Sequence, residues 1–180
     1  DQSDAEDTIN LLRAQLGLEK SKRRFPQKQT LIAMYSASIN RCTPIEEIIE
    51  KQYNRFVEDT EQIQKIIQSY IQYKRRHNLL DYDDLLVYLL SLLNGKGSAE
   101  IRRKYRYIMV DEYQDTNSLQ HEIVVALAGE RENVMAVGDD AQSIYSFRGA
   151  NYQNIMKFPE SFTKCAIITI SKNYRSTTQI

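Results

Sequence analysis

The sequence predicts an α/β fold: an all-helical segment over residues 1–79, then a parallel sheet of about three strands with flanking helices over residues 80–180. Three observations predict it. Short apolar stretches at Tyr107–Val110, Val134–Val137 and Ala166–Ile170 each run into a polar loop. Helical segments separate them, and strands alternating with helices read as a parallel sheet with crossover connections. Ahead of residue 80 only helical periodicity occurs.

Taken in order, Ser3-Asp4-Ala5-Glu6 has the form of a capping box, and Ile9, Leu12 and Leu16 follow at helical spacing, with Gly17 as the stop. A second helix is expected to begin near Pro26 and to carry Leu31, Tyr35 and Ile39. Thr43-Pro44-Ile45-Glu46 reads as another capping box with Pro at the first helical position. Beyond it, Ile48, Ile49, Phe56, Ile63, Ile67, Tyr70 and Ile71 sustain the helical period into one long, charged rod that breaks at Arg75–Asn78. Asp81-Tyr82-Asp83-Asp84 then precedes Leu85–Leu90, an apolar helix expected to be well buried, and Asn94–Ser98 is a flexible loop. After the third strand, a helix is expected to start at Ser176.

Sites in parallel sheets lie at the carboxyl ends of the strands, and all three polar runs fall there. The first strand ends in Asp111-Glu112. This pair is either a magnesium ligand beside a general base or a solvated acidic helix start. After the second strand, Gln142 is either a surface amide or a hydrogen-bonding sensor of a terminal phosphate. After the third, Arg175 is either a surface charge or a rigid fork for phosphate, and Tyr174 offers a stacking surface for a base. Phe147-Arg148 pairs an aromatic with a cation, as single-stranded nucleic acid binding requires; the alternative is a core Phe beside a surface Arg. The bland reading, a solvated face, prevails for Lys20, Lys22, Arg23, Arg24 and Lys28, and for Arg102-Arg103-Lys104. His77 and His121 are isolated and read as incidental.

Bulk properties bound the problem loosely. With 180 residues the chain holds one or two domains and can bury a core. Lys plus Arg and Asp plus Glu both number 24, so net charge selects no acidic partner, although a local basic stripe could still bind nucleic acid. Two distant cysteines, Cys42 and Cys165, suit a reducing cytoplasm and form no metal-binding pattern. No apolar stretch approaches the ~20 residues of a membrane span. The first residue is Asp1, which raises the expectation that the chain is a piece of something longer.

The strand-end runs resemble motifs of superfamily 1 DNA helicases of the UvrD, PcrA and Rep type. Val110-Asp111-Glu112-Tyr113-Gln114-Asp115-Thr116 is similar to helicase motif II. Val137–Tyr145, continuing through Phe147-Arg148-Gly149-Ala150, is similar to motif III, and Asn173-Tyr174-Arg175-Ser176-Thr177 to motif IV. Leu80–Leu85 looks like the segment by which the family returns from a helical insertion to its motor domain. The resemblance covers residues 80–180 through three motifs in order; residues 1–79 resemble the insertion only by position and helicity.

The resemblance implies a partial RecA-like sheet and an enzyme that couples ATP hydrolysis to movement on single-stranded DNA, with roles in DNA repair. It implies Asp111 on Mg2+, Glu112 activating the attacking water, Gln142 and Arg175 at the γ-phosphate, and Tyr174 stacked on adenine. Phe147 would lie against a DNA base with Arg148 coupling that contact to the ATP site. Many relatives carry Trp where this chain has Phe147, which gives less stacking area and no indole donor.

A phosphate-cradling loop needs Gly-x-x-x-x-Gly-Lys-Ser/Thr. The Gly95-Lys96 pair is followed by Gly97, with Leu90 at the upstream Gly position, so it does not match. The resemblance places that loop ahead of the helical segment, which gives three expectations. The chain begins downstream of the loop, the isolated chain does not hydrolyse ATP, and its incomplete sheet favours rearrangement, self-association or strand exchange. The expected partners are therefore single-stranded and duplex DNA and the remainder of the helicase chain, with no membrane. Three other readings compete: the helicase subunit of a helicase–nuclease, a catalytically silent DNA-binding module, and a nucleotide switch without translocation, which would not need the Phe147-Arg148 pair. The intact set Asp111, Glu112, Gln142 and Arg175 argues against silence.

Overall fold

A computed structural model describes residues 1–18, 25–143 and 153–177. The helical half comprises α1 (Gln2–Gln15), α2 (Lys28–Asn40), α3 (Ile45–Gln52) and α4 (Thr60–Arg76), with a 3-10 turn at Asn54–Asp59. There follow α5 (Tyr82–Asn94), α6 (Ser98–Lys104), β1 (Ile108–Val110), α7 (Ser118–Ala128), β2 (Val134–Ala136) and the short α8 (Gln153–Lys157).

Local chemistry accounts for most of these boundaries and corrects several expectations. The first helix starts earlier than the Ser3 box suggests, because Asp1 and Asp4 form the reciprocal cap. Gly17, at φ +69°, lies just beyond the helix end and takes the left-handed conformation that Gly adopts without steric cost. The second box does not form. Pro44 is the cap position of α3 without a side-chain hydrogen bond, and the Thr43 hydroxyl donates to Arg41 O at 3.0 Å instead. The expected long rod is divided after Gln52, where a 3-10 turn folds Phe56 into the core. A periodic run of isoleucines cannot distinguish one long helix from two that share an apolar core.

That core joins Ile9 and Leu12 of α1, Leu31, Met34 and Tyr35 of α2, Ile49 of α3 and Ile63, Ile66, Ile67 and Tyr70 of α4. At its edge Lys74 is only 5% exposed. Its ammonium donates to Asp81 Oδ2 and Asp84 Oδ2, each at 2.6 Å, and to the Tyr35 hydroxyl at 3.2 Å. Asp81 and Asp84 also form the capping box that starts α5. The ion cluster thus ties α4 to the next helix.

Two smaller clusters complete the interior. Leu93 of α5 packs with Leu119 and Ile123 of α7, and Tyr113, Val124 and Phe158 pack beneath the sheet. The expectation that α5 is well buried fails: Leu93 is its buried residue, while Leu85, Val87, Tyr88 and Leu92 are exposed. Arg102 is likewise more than a surface charge. Its guanidinium donates to Leu93 O at 2.8 Å and to Ala126 O at 2.7 Å, capping the last turns of α5 and α7.

β1 and β2 are parallel, with Ile108 opposite Val134, Met109 opposite Met135 and Val110 opposite Ala136, and α7 forms the crossover. Val110, Val134 and Ala136 pack on the Tyr113 cluster, whereas Met109 and Met135 face outward and are exposed. The expected third strand does not pair. Residues 165–173 carry no strand hydrogen bonding, and Ile167, Ile168 and Ile170 are exposed. A parallel strand needs a neighbour on its hydrogen-bonding edge, and none of the described residues supplies one. The helix expected from Ser176 is represented among the described residues by a bend at 174–176.

Candidate functional site

The ends of β1 and β2 are joined by hydrogen bonds that continue the ladder into the loops. Val137 N donates to Val110 O at 2.8 Å and Tyr113 N to Val137 O at 2.9 Å. Between these bonds the chain turns sharply at Glu112, which has φ 51° and ψ 43°. A left-handed conformation at a non-Gly residue costs about 1–2 kcal/mol. It ends the strand alternation that would otherwise send Asp111 and Glu112 to opposite faces. A 3-10 turn, Tyr113–Asp115, follows, and then α7, capped by the reciprocal pair Asn117 and Gln120.

Asp111 is exposed, and its Oδ1 accepts from the Glu112 amide at 2.9 Å. Glu112 Oε2 accepts from Gln114 Nε2 at 2.7 Å. Gln114, only 1% exposed, accepts from the Asp139 amide through Oε1 at 3.0 Å. Asp139 in turn accepts from Gln142 Nε2 at 2.8 Å and from Ala141 N at 3.0 Å. The acidic pair and Gln142 are therefore brought into one network through Gln114 and Asp139. Sequence reasoning assigned neither of these a role, although both stand inside the quoted motifs.

The turn is braced from below. The Tyr113 hydroxyl and His121 Nδ1 share a hydrogen bond at 2.7 Å, and His121 Nε2 and Ser161 Oγ share one at 3.2 Å. The Tyr113 ring meets Phe158 edge to face at 5.0 Å. Burial, reinforced by the nearby Glu122 charge, pushes the Tyr113 phenol up to about 12, so it remains neutral. Burial also holds the His121 imidazole below its ordinary value, against the opposing pull of Glu122. His121 is thus a brace of the acidic turn rather than an incidental residue.

Tyr174 and Arg175 stand apart from this network. Both are exposed; the Asn173 carboxamide oxygen accepts from Arg175 N at 2.9 Å and Ser176 N at 3.0 Å, and the Lys172 ammonium lies 4.9 Å from the Tyr174 ring. Phe147 and Arg148, and Lys20, Lys22, Arg23 and Arg24, lie outside the described residues. Lys28 pairs with Asp7 at 2.6 Å. Among the described residues no three His, Cys, Asp or Glu side chains gather as a metal site. A magnesium ion held through one carboxylate, with phosphate and water oxygens completing its shell, does not require such a group. Asp111 fits that donor set, being exposed at a strand end with Oδ2 beyond the intraloop bond.

The sequence profile of the UvrD/REP helicase N-terminal domain matches residues 1–163. The chain belongs to this helicase family. It is 35% identical to DNA helicase II of Haemophilus influenzae over 98% of the chain and 24% of that protein. It is 34% identical to the ATP-dependent DNA helicase PcrA of Staphylococcus epidermidis over 88% of the chain and 21% of that protein. With the ATP-dependent DNA helicase Rep of Escherichia coli the identity is 45% over 57% of the chain and 16% of that protein. The chain thus spans at most about a quarter of the length of these UvrD/REP relatives. Among its described residues no helix is long and apolar enough to cross a membrane.

Proposed function

We propose that this chain is part of an ATP-dependent DNA helicase that acts in the cytoplasm and couples ATP hydrolysis to movement along single-stranded DNA. Residues 1–79 form its helical insertion and residues 80–180 the later part of its first RecA-like motor domain. In the complete domain Ala166–Ile170 joins the parallel sheet as a third strand. The observation that carries the reading is the hydrogen-bonded path Glu112–Gln114–Asp139–Gln142, which unites two strand-end loops around one position beside Asp111.

In this reading Asp111 would hold Mg2+, which would neutralise charge developing on the transferring phosphate. Glu112 accepts a proton from the attacking water as the water oxygen bonds to the γ-phosphorus. The bond from that phosphorus to the bridging oxygen breaks, and its electron pair leaves on the β-phosphate. Gln142 has two amide donors; one is held by Asp139, which leaves the other for a γ-phosphate oxygen. Arg175 stabilises the charge spread over the transferring group and Tyr174 stacks on the adenine. Phe147 and Arg148 grip a base and a phosphate of the DNA strand.

Steady-state ATP hydrolysis by the full polypeptide, with single-stranded DNA and Mg2+, tests this. Glu112→Gln should lower kcat by about 10²–10⁴-fold with ATP binding retained. Undiminished turnover in that variant would overturn the assignment. The isolated 180-residue chain should show no turnover above the same variant.

A further inference from the structure

We infer that Gln114 is the positioning residue for the general base, orienting the Glu112 carboxylate and fixing it to the loop that carries Gln142. This rests on the ATPase reading above and adds a residue to it. A buried primary amide must find partners for both its ends. Gln114 finds them on two different strand-end loops: Glu112 Oε2 at 2.7 Å and the Asp139 amide at 3.0 Å. Chemistry forces that orientation. A backbone N–H only donates and a carboxylate only accepts, so Oε1 faces Asp139 and Nε2 faces Glu112.

The surroundings are shaped to hold it. A Cβ at Gly138 would sit 2.5 Å from Gln114 Oε1 and 2.7 Å from Ile155 Cδ1, so absence of a side chain there leaves room for the amide. The Gln114 carbonyl also accepts from Ser143 Oγ at 3.4 Å, a second link to the same loop. Because Nε2 is neutral, it orients the base without placing a counter-charge beside it. Because Oε1 holds the loop of Asp139, any shift of Gln142 on meeting phosphate is transmitted to the carboxylate through one rigid side chain. A misplacement on the order of 1 Å at a reacting group costs roughly 10²-fold in rate.

Two substitutions in the full helicase polypeptide separate positioning from support. Gln114→Met matches the side chain in length and removes both bonds. Gln114→Glu keeps an acceptor for the Asp139 amide and, in its ionised form, replaces the donor to Glu112 by a like charge, so its kcat is read at the alkaline end of the pH profile, where both carboxylates are ionised. ATP hydrolysis is measured with Mg2+ and single-stranded DNA, alongside thermal melting and Glu112→Gln. Both variants should lose about 10²-fold in kcat, with KM for ATP within about threefold of wild type. If Gln114→Met does not fold, Gln114→Glu alone carries the test, since it preserves the loop anchor. Wild-type kcat in Gln114→Glu would overturn the inference, because Gln114 would then only anchor the Asp139 loop. A raised KM with unchanged kcat in either variant would also overturn it. If instead wild type and Glu112→Gln hydrolyse ATP equally, the ATPase reading itself fails, and the inference with it.

Discussion

Replacing Lys74 by methionine removes a charge from the most deeply buried ion cluster among the described residues while keeping most of the side-chain volume. The ammonium is nearly inaccessible and makes two 2.6 Å bonds to carboxylates that are themselves largely buried. Burial works against its charge, but the hydrogen bonds it donates to Asp81 and Asp84 outweigh that and raise its pKa above the ordinary value. Asp81 is likewise opposed by burial, yet the Lys74 contact and the Asp84 amide hold its pKa below the ordinary value. Removing one partner of a buried pair typically costs about 3–5 kcal/mol. Here the orphaned carboxylates keep other donors: the Tyr70 hydroxyl at 3.0 Å and Asp84 N for Asp81, and Asp81 N for Asp84. The lower end, about 3 kcal/mol, is therefore expected, or a fall in Tm of about 6–12 °C for a chain of this size.

Urea and thermal denaturation of wild type, Lys74→Met and the triple variant Lys74→Met, Asp81→Asn, Asp84→Asn check the reasoning. Neutral amides neither repel nor demand a counter-charge, so the triple variant should recover part of the loss. A triple variant no more stable than Lys74→Met would show that the loss is packing and refute the ionic account. The pH dependence supplies a second check. Asp81 contributes stability that is present above the unfolded value near 3.8 and lost as pH falls towards its depressed folded value. The difference between wild type and Lys74→Met should therefore narrow below pH 3.8. At the alkaline end, Lys74's contribution is complete below 10.5 and lost as pH rises through its raised folded value.

Two further substitutions probe the supports of α7, one at its last turn and one beneath the acidic turn. Arg102→Ala removes charge-assisted bonds to Leu93 O and Ala126 O, and should destabilise the chain by about 2–3 kcal/mol in urea titration without changing the m-value. His121, whose burial lowers its folded pKa, binds protons more readily when unfolded, so wild-type stability should decline as pH falls below 6.5. In His121→Gln that acid-side slope should be absent in melting curves taken across the range.

The α/β class, the helical first half and the starts of α5 and β1 were legible because each rests on local chemistry. The acidic run ahead of Leu85 and the Asp111-Glu112 strand end announce themselves within a few residues, although the reciprocal Asp81/Asp84 cap emerges only in the structure. What the sequence concealed depends on partners distant along the chain. The isoleucine period runs unbroken across Tyr53 although the helix does not, because both halves face the same core. Ala166–Ile170 has strand composition, but pairing is a property of an edge, and its exposed isoleucines have no neighbouring strand among the described residues. Gln114 and His121 look unremarkable in one dimension. They become structural only when Asp139 and Ser161, 25 and 40 residues away, close on them.

The site thus divides into a wall that is ready-made and a wall that is not. Glu112, Gln114, Asp139 and Gln142 are held by short-range bonds and a buried aromatic brace, whereas among the described residues Arg175 is held by an Asn173 turn and Tyr174 by the Lys172 ammonium, both exposed on an unpaired segment. The ready-made wall is also gripped from the helical half. Asn117, which caps the helix following the acidic turn, donates to Asn40 Oδ1 at 2.8 Å, and Asn40 Nδ2 donates to Asp83 Oδ1 at 2.8 Å. These bonds join the last residue of α2 to the first turns of α5 and α7. A shift of α2 against the sheet must break them or drag the N-terminus of α7, and with it the turn that orients Glu112. The helical segment therefore has a hydrogen-bonded connection to the turn that carries the carboxylate proposed as the general base.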